Sequence, residues 1–277
     1  MRHSLLAVVL ASALLTAQPS VVSFTDTYKG TWLDGPACVV SQPIVGYQPA
    51  APGHYPLFVY EVGMFEPYND ASVDEILRAA AAHGFVALSA KYNNGFNRDC
   101  QTLNNKAACL YNGTAQSAIS KGCARADCDY GIVVGGFSQG SQLGLIAKNY
   151  DSRVLAVWAQ GVAMSSTVPL DSCLSAGMRV LPADGVRMIN GEHDQFVPDA
   201  SAAEAITGLS CPGASHCERI DGSGWYRVQD AELGAYADHT FFIDGFLSGV
   251  FSPRYLPPAQ SPWSIDHNLE WLQLKLH

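Results

Sequence analysis

A chain of 277 residues, 48% hydrophobic and 15% charged, has the apolar material for a sizeable core and too little charge to stay disordered. Its net charge of -9 argues against a surface for nucleic acid or another polyanion, because such affinity comes from clustered Lys and Arg. Eight cysteines, an even number with no C-x-x-C pair among them, favour disulfides over a metal or redox site.

The chain starts with "MRHSLLAVVLASALLTAQPS": a short basic start, an apolar run from Leu5 to Leu15, and Ala17 at a plausible cleavage point. Residues 1–17 are read as a signal peptide, so the protein is expected to be secreted, with a mature start near Gln18 and few or no free thiols. The apolar run is well short of the roughly 20 residues that span a bilayer, and no later stretch is longer, so no stable membrane span is expected. Residues 18–277 are read as a single domain, with no repeat, linker or charge block. Residues 18–56 carry no motif. Only "SHCE" at His216 and Cys217 comes near a zinc-ligand spacing, so neither metal nor cofactor is expected. Cys211 with Cys217 and Cys123 with Cys128 are plausible disulfide pairs by proximity, and "YNGT" at Asn112 and Thr114 matches a glycosylation acceptor in a eukaryotic host.

From residue 57 onward, apolar runs rich in β-branched residues alternate with alanine-rich helical stretches, which is the mark of a mostly parallel sheet with helices on its faces. "PLFVYEV" reads as a buried strand, "DASVDEILRAAAAHG" as a helix opened by Asp70 and closed by Gly84, and "FVALSAKY" as the next strand. A Cys- and Asn-rich loop follows over residues 93–110, then a short helix near 114–120 and the strand "YGIVVGG" from Tyr130. "SQLGLIAKNY" reads as a helix, "RVLAVWAQG" and "GVRMING" as strands, "DASAAEAITGL" as a helix, "GWYRVQD" as a strand and "SIDHNLEWLQLKL" as a closing amphipathic helix. The segment between the strands ending at Gly161 and opening at Gly185 contains Cys173 and is too short for a large helical lid.

The strand from Tyr130 runs into "GGFSQG", where Gly136 and Gly140 flank Ser138. A strand that turns abruptly into a helix there exposes its central side chain at the C-terminal edge of the sheet, and the flanking residues must be small because the backbone is tight. The next helix's N-terminus lies behind it and favours negative charge. A serine hydroxyl needs a base, and the base needs an orienting carboxylate. On this topology both follow the serine in the chain. Asp194 in "MINGEHDQFVPD" comes just after a strand, with Glu192 and Asp199 as competing carboxylates. Three histidines lie beyond it: His239 after the strand "GWYRVQD", His216 before that strand, and His267 in the terminal helix. His239 is preferred because its loop can reach back over the sheet edge.

"GGFSQG", "INGEHDQFVP" and "ADHTFF", in this order, resemble the nucleophile elbow, acid loop and histidine loop of the α/β-hydrolase superfamily. "AAAAHGFVALSAKY" is similar to the helix and strand after the oxyanion loop in secreted lipases and polyester hydrolases of the cutinase-like and dienelactone-hydrolase-like groups. The likeness covers residues 57–242. The acid-to-histidine separation, about 45 residues, exceeds that of compact cutinases, and "ADH" replaces a more usual Gly-His.

The resemblance implies the α/β-hydrolase fold and a serine carboxylic-ester hydrolase in which Ser138 attacks, His239 carries the proton and Asp194 holds its tautomer. The backbone N–H groups of Gln139 and, within "EVGMF", Met64 would bind the oxyanion. Phe65, Trp158, Phe241 and Phe242 are candidate liners for a small-molecule or polymeric ester of short or medium acyl length. An acyltransferase or peptidase on the same fold, or a non-catalytic binding protein that kept it, are the alternatives.

Overall fold

The computed structural model describes residues 19–32, 35–95, 99–162, 171–196, 200–210, 216–234, 236–239 and 263–276. The signal segment therefore lies outside the described residues, as do Asp199, Cys211, Phe241 and Phe242.

Nine strands form one mixed, mostly parallel sheet: β1 (Val21–Thr31), β2 (Cys38–Pro49), β3 (Leu57–Glu61), β4 (Val86–Ala90), β5 (Ile132–Phe137), β6 (Val154–Gln160), β7 (Val186–Gly191), β8 (His216–Glu218) and β9 (Gly224–Val228). Their order is β1-β2-β4-β3-β5-β6-β7-β9-β8. β4, β3, β5, β6, β7 and β9 pair in parallel, while β1–β2, β2–β4 and β8–β9 are antiparallel. This strand order, with helices filling the crossovers, is the α/β-hydrolase fold expected from the sequence.

β3, β4, β5 and β7 are buried at every residue, which is why they read as unbroken apolar runs rather than alternating ones. Helix α1 (Ala71–Ala82) begins where the Asp70 carboxylate caps the Ser72 N–H, and it buries Val73, Ile76, Leu77, Ala80 and Ala81. Gly84 at φ +87° lets the chain leave that helix.

The structure departs from the sequence reading at both ends of this core. Residues 21–49, which show no motif, form the two longest strands. They build a sheet edge only partly covered, with Val22 and Val39 exposed, so their alternation is weak. The expected loop over 93–110 is instead mostly helix α2 (Cys100–Tyr111), capped by Asp99 through the Thr102 N–H. Leu103, Ala107, Leu110 and Tyr111 form its buried stripe, a helical spacing hidden among the polar residues of "TLNNKAACLY". Disulfides pin α2 near both ends, Cys38–Cys109 to β2 and Cys100–Cys173 to the short helix α5 (Asp171–Leu174).

The short helix α3 (Ala118–Cys123) starts a few residues later than expected, capped by Ser117, and the Cys123–Cys128 disulfide closes the turn into β5. Helix α4 (Gln139–Ala147) is buried at all nine positions because α2 packs over the face turned away from the sheet. The remaining helices are α6 (Ala200–Thr207), α7 (Asp230–Leu233) and α8 (Ile265–Leu274), the last capped by Ser264. β8 and α7 have no counterpart in the sequence reading. Cys217 is also disulfide-bonded, and no free cysteine occurs among the described residues. Among the described residues no helix is long and apolar enough to cross a membrane.

Candidate active site

β5 hands the chain to α4 through Ser138, whose backbone sits at φ 51°, ψ -111°. Only one other described non-glycine residue, Phe65, has a positive φ, and backbone strain of this kind costs on the order of 1–3 kcal/mol unless the surroundings hold it. Here they do. A Cβ on Gly140 would lie 1.9 Å from the Glu61 carbonyl oxygen, and one on Gly136 would lie 2.5 Å from Gly140. The glycines of the motif are thus dictated by backbone contact. Ser138 N–H donates to the Gln160 carbonyl at 2.8 Å, and the Ser141 hydroxyl reaches the Gly136 and Gln160 carbonyls, sewing the turn to β6.

At the end of β7 a tight turn carries Asp194, and a Cβ on Gly191 would lie 2.2 Å from the Ala237 carbonyl oxygen, so the acid loop and the histidine loop touch. The structure places Ser138, His239 and Asp194 in one hydrogen-bonded row. His239 Nε2 lies 3.0 Å from Ser138 Oγ, and Nδ1 lies 3.0 Å from each Asp194 oxygen. All three residues are buried. Asp194 also accepts from Asn190 Nδ2 at 2.8 Å and from the Phe196 N–H at 3.0 Å. In the tautomer with its proton on Nδ1, the imidazole donates to the carboxylate and leaves Nε2 to accept from the serine hydroxyl. The ring lies against Phe137 and Phe196, with centroids 5.1 Å and 4.4 Å away.

The rival residues lie elsewhere. His216 sits on the edge strand β8 and meets Glu232 at 3.1 Å, His267 is in α8, and Glu192 meets His193 at 3.1 Å. Trp158, expected as a liner, is a correction: it is fully buried in β6, part of the core, because a central parallel strand has both faces covered. Phe65 is exposed, on the loop after β3, and with Val62, Glu66, Tyr68, Tyr92 and Asn94 it lines a cavity of about 300 Å³.

Neither the Gln139 N–H, the first of α4, nor the Met64 N–H has an acceptor among the described residues. Gly140 brings the chain next to each of these amides together, since its Cβ would also fall 2.7 Å from the Val62 carbonyl oxygen.

Sequence reasoning missed two buried acids at this loop. Glu61 accepts from the Tyr111 hydroxyl at 2.9 Å, and burial pushes its carboxyl up to about 8. Glu66 accepts from the Gly63 N–H at 2.6 Å, and its carboxyl is pushed up to about 7, by burial first and with Asp70 adding to the rise. "EVGMFE" shows both residues, yet a carboxylate beside a glycine turn reads as solvated. Among the described residues, Glu192, His193 and Asp230 offer a group with metal-ligand spacing, their atoms within 4.8 Å of one another, and in this structure they partner each other.

No family of known proteins matches the sequence, and no curated protein does. Among solved structures the chain is similar to brefeldin A esterase, a bacterial homologue of human hormone-sensitive lipase, with a TM-score of 0.39 and 19% identity. The match covers 57% of this chain and 44% of that one. The fold stands on the strand order above rather than on that likeness.

Proposed function

We propose that residues 18–277 form a single-domain, secreted serine carboxylic-ester hydrolase that works through an acyl-enzyme. The observation that carries this reading is a serine held at positive φ and joined through one imidazole to a buried carboxylate, with 3.0 Å at each link. Ser138 Oγ attacks the ester carbonyl carbon while its proton passes to His239 Nε2. Asp194 stabilises the imidazolium and keeps its orientation. The charge on the carbonyl oxygen is met by the Gln139 and Met64 N–H groups, with the N-terminus of α4 behind them. As the tetrahedral adduct collapses, the alcohol departs with the Nε2 proton. Water then repeats the sequence on the acyl-serine.

Export is supported by the N-terminal segment and by the disulfides, which persist in oxidising compartments. The exposed Phe65, on the loop beside the elbow, supplies apolar surface for a short or medium acyl or aryl ester, including polyesters. Phe241, the other candidate liner of that surface, lies outside the described residues. The test is labelling of Ser138 by a fluorophosphonate, followed by kcat/KM on p-nitrophenyl esters of increasing acyl length with an emulsified triglyceride alongside. Expected are labelling at Ser138 alone and a maximum at short or medium chains. Absence of both labelling and ester turnover would remove the reading, and a long-chain maximum with interfacial activation would remove its substrate part.

A further inference from the structure

The loop after β3 is held peptide by peptide. In the Val62–Gly63 peptide, the carbonyl accepts from the Tyr92 hydroxyl and the N–H donates to Glu66 Oε2 at 2.6 Å. In the Gly63–Met64 peptide, the carbonyl accepts from Asn94 Nδ2 at 2.8 Å and from the Glu66 N–H at 3.2 Å. The same Asn94 amide reaches on to the Glu66 carbonyl at 2.7 Å, and the Asn94 carbonyl takes the Phe65 N–H at 3.1 Å. Of the amides of residues 63–66, Met64 alone has no acceptor among the described residues.

A trans peptide is planar, and its N–H points opposite to its carbonyl. No described peptide bond is cis. Two donors that hold the Gly63 carbonyl therefore turn the Met64 N–H away from the Asn94 amide and the Glu66 N–H. That loop adjoins the elbow: a Cβ on Gly63 would lie 2.6 Å from the Phe137 ring, one residue before Ser138.

We propose that Asn94 is a positioning residue that aims the Met64 N–H at the developing oxyanion through the Gly63 carbonyl, with Glu66 fixing the preceding peptide. The inference rests on the serine-hydrolase reading and adds to it two residues that touch no reacting atom. Asparagine suits the task because its amide nitrogen donates twice, to two carbonyls of one loop. Aspartate at the same place would present oxygens to both carbonyls and push the peptide away. At Glu66 the requirement is for an acceptor, which glutamine keeps.

The test compares Asn94→Asp and Asn94→Ala with Glu66→Gln and Glu66→Leu in the full chain. Loss of one oxyanion donor lowers kcat by about 10²–10³, so Asn94→Asp should fall about a hundredfold in kcat with KM within about threefold of the parent. Asn94→Ala should lose less, Glu66→Leu should resemble Asn94→Asp, and Glu66→Gln should stay within about fivefold. The spectroscopic arm uses ¹⁵N-methionine protein and a trifluoromethyl ketone, whose adduct with the serine carries an oxyanion. The Met64 amide proton should move downfield in the parent and hold its place in folded Asn94→Asp. If the ketone adds to Ser138 in the parent and the Met64 amide does not respond, or if folded Asn94→Asp keeps kcat within fivefold, the proposal falls while the hydrolase reading stands. If the parent neither adds the ketone nor turns over esters, both fall together.

Discussion

The two halves of the site are held by the same forces in different proportion. On the Ser138 side the backbone does the holding: glycines pressed against carbonyls, a strained turn bonded to β6, and α2, stapled by two disulfides, packed over α4. On the Asp194 and His239 side one glycine, Gly191, is pressed on the Ala237 carbonyl in the same way and the His193 N–H bonds that carbonyl at 2.9 Å, but side chains add many of the ties. Tyr236 stacks on His193 at 4.2 Å, Asp230 takes the Ala237 N–H at 2.7 Å, and Asn190 and Phe196 N–H hold the carboxylate. The contrast fits what each half would do in the proposed reaction. A nucleophile and its oxyanion donors work at fixed positions and in strained conformations, which only dense packing sustains. A proton carrier needs its ring aligned at both nitrogens, and hydrogen bonds suffice for that.

The largest effects belong to the row that joins the halves. Ser138→Ala and His239→Ala should each lower kcat by on the order of 10⁴ to 10⁶ without unfolding the protein, and the double variant should be scarcely worse, because residues acting as a unit are not additive. Steady-state kinetics beside circular dichroism measures this. Activity within tenfold of the parent in either single variant would separate the halves and end the comparison.

Next comes the staple on the nucleophile side. Removing the Cys38–Cys109 bridge, which closes 71 residues of chain, as the double serine variant should destabilise the protein by about 4 kcal/mol on the chain-entropy account. Denaturant unfolding would read the loss. A shift under about 1 kcal/mol would mean that packing alone holds α2.

A pH dependence sharpens the same side. The Glu61 carboxyl is raised from 4.5 to about 8, so the folded protein binds a proton that the unfolded chain releases. That stabilisation is complete below about pH 4.5 and is lost as pH rises through about 8, with Glu66 adding in the same sense up to about 7. Glu61→Gln should therefore match the parent more closely at pH 5 and exceed it in stability at pH 8.5, by on the order of a few kcal/mol. Parallel pH profiles for the two proteins would exclude a protonated buried Glu61.

The smallest effect should come from the sheet edge beyond the histidine half. His216 and Glu232 form a partly exposed pair, and such pairs contribute about 0–1 kcal/mol, so His216→Ala should keep activity within about threefold. A loss approaching that of His239→Ala would place the base on the wrong strand.

What was legible in the sequence tracks how local the cause is. The α/β alternation and the capped helix α1 show because central strands and helix ends write their requirements in neighbouring residues. Gly136 and Gly140 announce the turn for the same reason, although the carbonyls that demand them belong to another strand, β3, and to the motif itself. Helix α2 is hidden because its polar residues break the apolar period and its anchors are cysteines paired 71 and 73 residues away. Asn190, Asn94 and Glu66 act on backbone or side chains whose position only the fold supplies, and nothing in their spacing marks them. Trp158 misled because a residue near the end of a strand can face the site or the core, and pattern alone does not say which.

Phe137 stands between Gly136 and Ser138 in "GFSQG". Its ring fills the space that a Cβ at Gly63 would enter at 2.6 Å and one at Gly161 at 2.8 Å, and it also lies against His239. Three segments far apart in the chain therefore share one volume, and their sizes are not independent. In related chains a smaller residue at this position should travel with alanine or larger at the counterpart of 63, while the counterpart of 161, at φ +54°, should stay glycine whatever the size of the ring. A library randomising 63 and 137 together should yield active combinations that no succession of single changes reaches through folded, active intermediates.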